Sequence, residues 1–315
     1  MSKLPRKLTH SPFRYPGGKF YARKLILNCI PQHDKYCEPF AGGASIFFAK
    51  PNVCEVILND KDADLINCYI QIRDNVEAII GFLQGIPASK NNHTFYKNSF
   101  KPKNNLERAA RWFYLNRTSY SGIMNQRNCY WGYGDKYSMR PENWPHHLRT
   151  TSERLQHINL YCMDFEDLIN LLPNDYFLFI DPPYFNADQD KFYTCSFSID
   201  DHFRLCKTLK DNTHRLRFLI TYDNSEEIRS MYDWCVSMQD NEWNYTISRT
   251  DDQKNKKQRK DGYKSSRYKG REVFITNYNP NDILSVRPLN FADSNNSQKS
   301  QQTETDAEFI QLSLF

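Results

Sequence analysis

Short apolar runs separated by stretches of helical spacing constrain this chain more than any other feature. The clearest is Phe177-Leu178-Phe179-Ile180, closed at once by Asp181-Pro182-Pro183. Tyr36-Cys37-Glu38 and Cys54 to Leu58 are built the same way, and weaker signals recur at Asn159 to Met163, Arg217 to Tyr222, Tyr245 to Ser248 and Val273 to Thr276. Runs this short, bounded by turn or charged residues, read as buried strands. Helical patterns lie between them at Phe20 to Ile30, Asp62 to Leu83, Asp164 to Leu172, His202 to Leu209 and Ser225 to Met231. Strands alternating with helices predict an α/β fold around a mainly parallel sheet. The last two strands, joined through a long basic stretch, read as an antiparallel hairpin.

The rhythm breaks between Gly85 and Thr150. A polar segment there precedes a helical run, Leu106 to Leu115, and then a stretch rich in Gly, Asn, Arg, Tyr and Trp. We expect residues 1–84 and 151–289 to form one domain and residues 85–150 an inserted, mainly helical one with a small core of its own. Residues 290–315 should be a flexible tail, since Asp293 to Asp306 contains no aliphatic residue. Hydrophobic residues at 39% and charged residues at 25% exclude global disorder. No apolar window has the roughly eighteen residues a membrane span needs, and MSKLPRKLTH lacks the apolar core of a signal peptide. The expectation is a soluble, cytoplasmic protein. Nine cysteines without a CxxC pair, and eight histidines without ligand spacing, point to reduced, mostly buried thiols and no metal site.

Charge is unevenly placed. The net charge is only +5, yet Lys254 to Arg271 holds nine Lys/Arg against Asp261 alone. Such a block is either a phosphate-contacting element or a solvated loop; Tyr263 and Tyr268 within it favour the former. Lys256, Lys257, Arg259, Lys260, Lys264 and Arg267 are its candidate phosphate contacts.

Four further features carry chemistry. Glu38-Pro39-Phe40-Ala41-Gly42-Gly43-Ala44-Ser45 follows a strand and opens a helix, and its small residues let backbone N–H groups approach a ligand. Asp60 ends the next strand, where an acid either accepts from ribose hydroxyls or caps the following helix. Asp181-Pro182-Pro183-Tyr184 places a carboxylate beside carbonyls freed by two prolines, an acceptor-only nook suited to an exocyclic amino group, with an aromatic face next to it. Phe13-Arg14-Tyr15-Pro16-Gly17-Gly18-Lys19 precedes the first helix with an aromatic and a cation.

In this order the motifs resemble the Dam-type (D12 class, alpha-order) adenine-N6 DNA methyltransferases, over about residues 11 to 280. The resemblance implies a Rossmann-like sheet that binds S-adenosylmethionine (AdoMet), interrupted by a target-recognition domain. It implies that Tyr15, Lys19, Glu38, Pro39, Phe40, Gly42 and Asp60 hold the cofactor, with Asp60 on the ribose and Asp164 and Phe165 on its adenine. Asp181, at the junction of cofactor and target, would act with Pro182, Pro183 and Tyr184 on a flipped-out adenine. Residues 108 to 117 resemble the helix entering the recognition region, so Arg117, Tyr120, Asn125 and Arg127 become candidate DNA contacts, Tyr120 alternatively being a core aromatic. The family's usual Trp is Tyr15 here, and its Gly-rich turn ends in Ala44, which a helix start should tolerate. The guanine-reading arginine of GATC-specific members falls at Asn125.

Alternatives are an RNA adenine-N6 methyltransferase and a catalytically silent, DNA-binding module. Finally, Gln311-Leu312-Ser313-Leu314-Phe315 resembles the pentapeptide by which bacterial proteins dock on the DNA polymerase sliding clamp. The expected partners are duplex DNA and that clamp, for a monomeric, nucleoid-associated bacterial enzyme.

Overall fold

The computed structural model describes residues 9–134, 138–187, 193–244 and 269–284. Seven strands form one sheet: β1 (Lys35–Glu38), β2 (Glu55–Asn59), β3 (Asn159–Tyr161), β4 (Tyr176–Ile180), β5 (Arg217–Asp223), β6 (Ser237–Asn244) and β7 (Lys269–Thr276), in the order β3-β2-β1-β4-β5-β7-β6. β1 to β5 run parallel, and β7 enters antiparallel between β5 and β6. The α/β expectation and the closing hairpin therefore hold.

β4 explains the uninterrupted apolar run. All five of its residues are buried, and successive side chains serve opposite faces. Phe177 and Phe179 join the core on one side, Leu178 and Ile180 the core on the other. The second core is covered by α8 (Phe165–Leu171), α9 (Ile199–Asp211) and α10 (Glu226–Met231). The first is covered by α1 (Arg23–Cys29), α2 (Ser45–Ala49), α3 (Ala63–Asp74), α4 (Val76–Leu83), α6 (Asn105–Thr118) and α7 (Trp144–Leu155).

One helix differs from expectation, and one strand was not expected. The Asp62 to Leu83 pattern divides into α3 and α4 because Asn75 leaves helical geometry, at φ −135° and ψ 36°. Its N–H closes α3 on Gln71 while its carbonyl accepts from Ala78 and Ile79, so one residue ends one helix and starts the next. The hairpin partner of β7 is Ser237–Asn244; the strand expected at Tyr245 to Ser248 lies outside the described residues. This edge strand is polar (SMQDNEWN), and its pairing with β7 supplies what hydrophobicity does not.

The helices after Gly85 share a core with the sheet instead of enclosing one of their own. Trp112, Phe113 and Trp144 are buried in the same cluster as Phe13, Ile26, Tyr36 and Tyr69. Arg154 of α7, 1% exposed, donates to the carbonyls of Phe47 and Lys50 at the end of α2. α5 (Lys90–Asn98) packs on α6, and α11 (Pro280–Leu284) on α1. All nine cysteines are free thiols; Cys37, Cys68, Cys129 and Cys206 are buried, while Cys54 and Cys162 are exposed. Among the described residues no helix is long and apolar enough to cross a membrane.

Candidate active site

β1 pairs with β2 on one side and β4 on the other, so the chain connections diverge at its carboxyl end. Open α/β sheets bind ligands at such a switch point. A cavity of about 870 Å³ opens there, lined among others by Tyr15, Lys19, Glu38, Pro39, Phe40, Gly42, Asp60, Asp164, Phe165, Asp181, Pro182, Pro183 and Tyr184. These are the residues expected to serve cofactor and catalysis.

The Gly-rich turn is held from behind by carboxylates. Glu38, 1% exposed, accepts from the Tyr36 hydroxyl at 2.7 Å and the Phe47 N–H at 2.8 Å. Burial pushes its carboxyl up to about 8 despite those donors. Asp60 accepts the Gly42 N–H at 2.9 Å and the Asp62 N–H at 3.0 Å; burial pushes it up to about 6, the backbone donors acting the other way. The helix cap belongs to Asp62, whose side chain accepts from Asp64 and Leu65 at the start of α3. Asp60 is thus left to the turn and the cavity. Gly42 has φ +47°, and a Cβ there would stand 3.0 Å from the Tyr15 ring. Ala44 also takes left-handed geometry, φ 48°, immediately before α2, where the side chain is strained.

Phe40 packs on Phe165 and Phe197, with ring centroids 5.4 and 5.5 Å apart. Asp164 caps α8 through Glu166 N–H and pairs with Arg204 at 2.8 Å and Lys61 at 3.6 Å.

Asp181 is held differently. Lys19 Nζ lies 2.7 Å from one carboxylate oxygen and 2.8 Å from the other, and Thr221 Oγ1 donates at 2.8 Å. Lys19 is 3% exposed and also donates to the Gly17 carbonyl. Burial works against its charge, but Asp181 and Glu272 more than offset this and hold it above its ordinary value. The ammonium lies 4.9 Å from the centroid of the Tyr184 ring.

Sequence reasoning missed several supporting residues. Asn59, 1% exposed, bonds the Pro39 carbonyl and both backbone groups of Met163, tying three loops of the cavity together. Asn116 of α6 bonds both backbone groups of Arg14 and the Gly122 carbonyl. Gly122 is required there, since with φ +70° a Cβ would fall 2.1 Å from the Arg14 carbonyl oxygen. Thr221 of β5 donates to Asp181, Asp223 at the end of β5 accepts from the Phe185 N–H and the Asn186 side chain, and Glu272 is buried on β7 opposite Asp223. Their only sequence signal is a polar residue inside or ending an apolar strand.

The recognition candidates lie off this cavity. Arg117 is 7% exposed, and burial with Arg14 nearby pulls it down to about 9. Tyr120 is 44% exposed, which removes the core-aromatic alternative. Asn125 donates to the Tyr193 carbonyl at 2.9 Å and accepts from Arg127 N–H, whose side chain is exposed. Lys256, Lys257, Arg259, Lys260, Lys264 and Arg267, and the peptide Gln311 to Phe315, lie outside the described residues. Among the described residues no group of three His, Cys, Asp or Glu side chains is placed to hold a metal ion.

Comparison with known proteins points the same way. The chain is 28% identical over 232 residues to the type II methyltransferase M.CviBI of Paramecium bursaria Chlorella virus NC1A, covering 70% of this chain and 85% of that protein. It is 26% identical over 225 residues to the type II methyltransferase M.MjaIII of Methanocaldococcus jannaschii, covering 62% and 78%. With a DNA adenine methylase of Haemophilus influenzae it shares 29% over 206 residues, 61% and 70% of the two chains. The family model for D12 class N6 adenine-specific DNA methyltransferases matches residues 15–247, from the Tyr15 loop through β6. With β1 to β6 and the motifs that line the cavity in the same span, the chain belongs to the D12 class N6 adenine-specific DNA methyltransferases.

Proposed function

We propose that this DNA adenine methyltransferase moves a methyl group from AdoMet to N6 of an adenine flipped out of duplex DNA, with Asp181 as the acceptor for the amino group. The observation that carries the reading is the shared cavity of Asp181, Tyr184 and the Gly-rich turn. Its residues fit AdoMet: Gly42 offers a surface without a side chain, Asp60 an acceptor for ribose hydroxyls, and Asp164 with Phe165 a polar and an apolar contact for the cofactor's adenine. When bound, AdoMet supplies a methyl group already activated by positive sulfur.

The rest falls to this chain's own groups. Adenine N6 is a poor nucleophile because its lone pair is delocalised into the ring. Asp181 and the Pro182 carbonyl, accepting hydrogen bonds from its two N–H groups, favour tetrahedral geometry and expose that lone pair; once N6 has taken the methyl group it carries one proton too many, which leaves along the hydrogen bond to Asp181. Lys19 and Thr221 fix the carboxylate while leaving it lone pairs to accept with. Alignment and electrostatics then dominate over strong base catalysis. Flipping the base costs a few kcal/mol; Tyr184 stacks on the extruded ring, and the exposed Tyr120 fills the vacated stack. Arg117, Asn125 and Arg127 belong to the recognition segment, residues 85–150, and the basic block from Lys254 grips phosphates.

Purified protein with methyl-labelled AdoMet, offered duplex DNA or structured RNA, tests this. N6-methyladenine in DNA is expected. Label in RNA alone would favour RNA methylation, and failure to bind labelled AdoMet a silent binding module. The peptide Gln311 to Phe315 docks on the sliding clamp of the same bacterium, placing a monomeric enzyme on newly replicated DNA. Its apolar residues would fill a groove. Equal clamp binding by wild type and Leu314→Ala/Phe315→Ala would refute the docking.

A further inference from the structure

β5 runs parallel to β4 with Ile220 opposite Ile180, so its last residues lie alongside the segment that leaves β4 with Asp181. Side chains two apart on a strand point the same way, and Thr221 and Asp223 divide that segment between them. Thr221 donates to Asp181 at 2.8 Å. Asp223 takes the other end: one carboxylate oxygen accepts the Phe185 N–H at 2.9 Å, and the other accepts from the Asn186 side-chain amide at 2.8 Å. Phe185 and Asn186 are the middle of a turn that the Ala187 N–H closes on the Tyr184 carbonyl at 3.1 Å.

Tyr184 therefore stands between two supports. Pro182 and Pro183 fix the backbone before it, and Asp223 holds the two residues after it. Tyr184 and Asp223 both line the cavity, and the Tyr184 ring lies 6.2 Å from that of Tyr222 on the same strand as Asp223. The turn already closes through its own backbone bond. What the Asp223 bonds add is its place relative to β5, and hydrogen bonds to a carboxylate are the stronger kind.

Resting on the reading that Tyr184 receives the flipped adenine, we propose that Asp223 is a positioning residue for the base: by tying the turn after Tyr184 to the end of β5, it sets where that ring stands relative to Asp181, which Thr221 fixes to the same strand. One strand thus spaces the carboxylate that accepts the amino group from the ring that carries the base. Asp223 acts through Tyr184 and touches neither the amino group nor the methyl group. Loosening the turn leaves the Gly42 and Asp60 side of the cavity as it is, so the loss falls on transfer and not on cofactor binding.

The test measures AdoMet affinity and single-turnover transfer, at saturating AdoMet, to a duplex that the wild type methylates. It compares the full chain with Asp223→Ala, Asp223→Asn, Tyr184→Ala and Asp223→Ala/Tyr184→Ala. Asp223→Ala should slow transfer by roughly ten- to a hundredfold, the scale for misplacing a group by about 1 Å, with AdoMet affinity unchanged. Asp223→Asn should recover most of that loss, because its amide oxygen still accepts the Phe185 N–H and Asn186 can turn its own amide to match. The double variant should be as slow as Tyr184→Ala within about twofold, since two residues acting through one contact do not add. A wild-type rate for Asp223→Ala, no recovery in Asp223→Asn, weakened AdoMet binding, or losses that multiply in the double variant would overturn the role of Asp223 while Tyr184→Ala stays slow. A wild-type rate for Tyr184→Ala would instead overturn the reading of the base-receiving ring, and this inference with it.

Discussion

Two carboxylates end neighbouring parts of the sheet and are held in opposite ways. Asp60, after β2, is fixed by the backbone N–H groups of Gly42 and Asp62. Asp181, after β4, is held by the side chains of Lys19 and Thr221. Backbone donors cannot leave without unfolding a turn, so the Asp60 side is a preformed cradle. A lysine ammonium on a flexible stem can shift its donors as a substrate arrives. The difference suggests a division of labour: the β1–β2 side binds the cofactor and the β4–β5 side carries the chemistry.

The largest break in this comparison comes from Asp181→Ala. It should lower methyl transfer by on the order of a thousandfold or more, removing the charged acceptor of a transition-state interaction, while AdoMet affinity changes little. Single-turnover rates at saturating AdoMet read this directly. Asp60→Ala should act chiefly on AdoMet binding, weakening it by about ten- to a hundredfold, as for loss of a charge-assisted contact; calorimetric titration measures it. Lys19→Ala, which removes the donor that holds the Asp181 carboxylate, should lower the single-turnover rate as well.

The turn side also predicts a pH effect. In the proposed role Asp60 would accept from ribose hydroxyls best as a carboxylate, and burial pushes it up to about 6. AdoMet affinity should therefore rise with pH through about 6 and then level off, and Asp60→Asn should abolish the rise. The sign for folding is opposite. The folded state holds this proton more tightly than the unfolded chain does, so stability falls as pH rises from 3.8, the ordinary value, through about 6.

The smallest effect sharpens the account of the turn. Ala44 occupies left-handed geometry where the family pattern has glycine. Ala44→Gly should stabilise the fold by about 1 kcal/mol in a denaturant titration, without changing kcat.

Much of this was legible because strands buried on both faces leave unbroken apolar runs. Phe177 to Ile180 and the Asp181-Pro182-Pro183-Tyr184 turn behind it needed no tertiary information. β6 leaves no signal because an edge strand needs no apolar run, and the break at Asn75 leaves none because helical periodicity continues across it. Asn59, Asn116, Thr221 and Asp223 were illegible for a different reason. Each is a polar residue whose partner lies tens of residues or more away, so only the sheet order and loop packing give it a role. The nine cysteines show the limit of composition, which conveyed free thiols but not that Cys54 and Cys162 face solvent.

The division between the two sides is tested most directly by measuring AdoMet binding and single-turnover transfer to duplex DNA on the same preparations of wild type, Asp60→Ala and Asp181→Ala. The account predicts opposite losses: weak binding with near-normal transfer at saturating cofactor for Asp60→Ala, and near-normal binding without transfer for Asp181→Ala. Near-normal transfer by folded Asp181→Ala would contradict it.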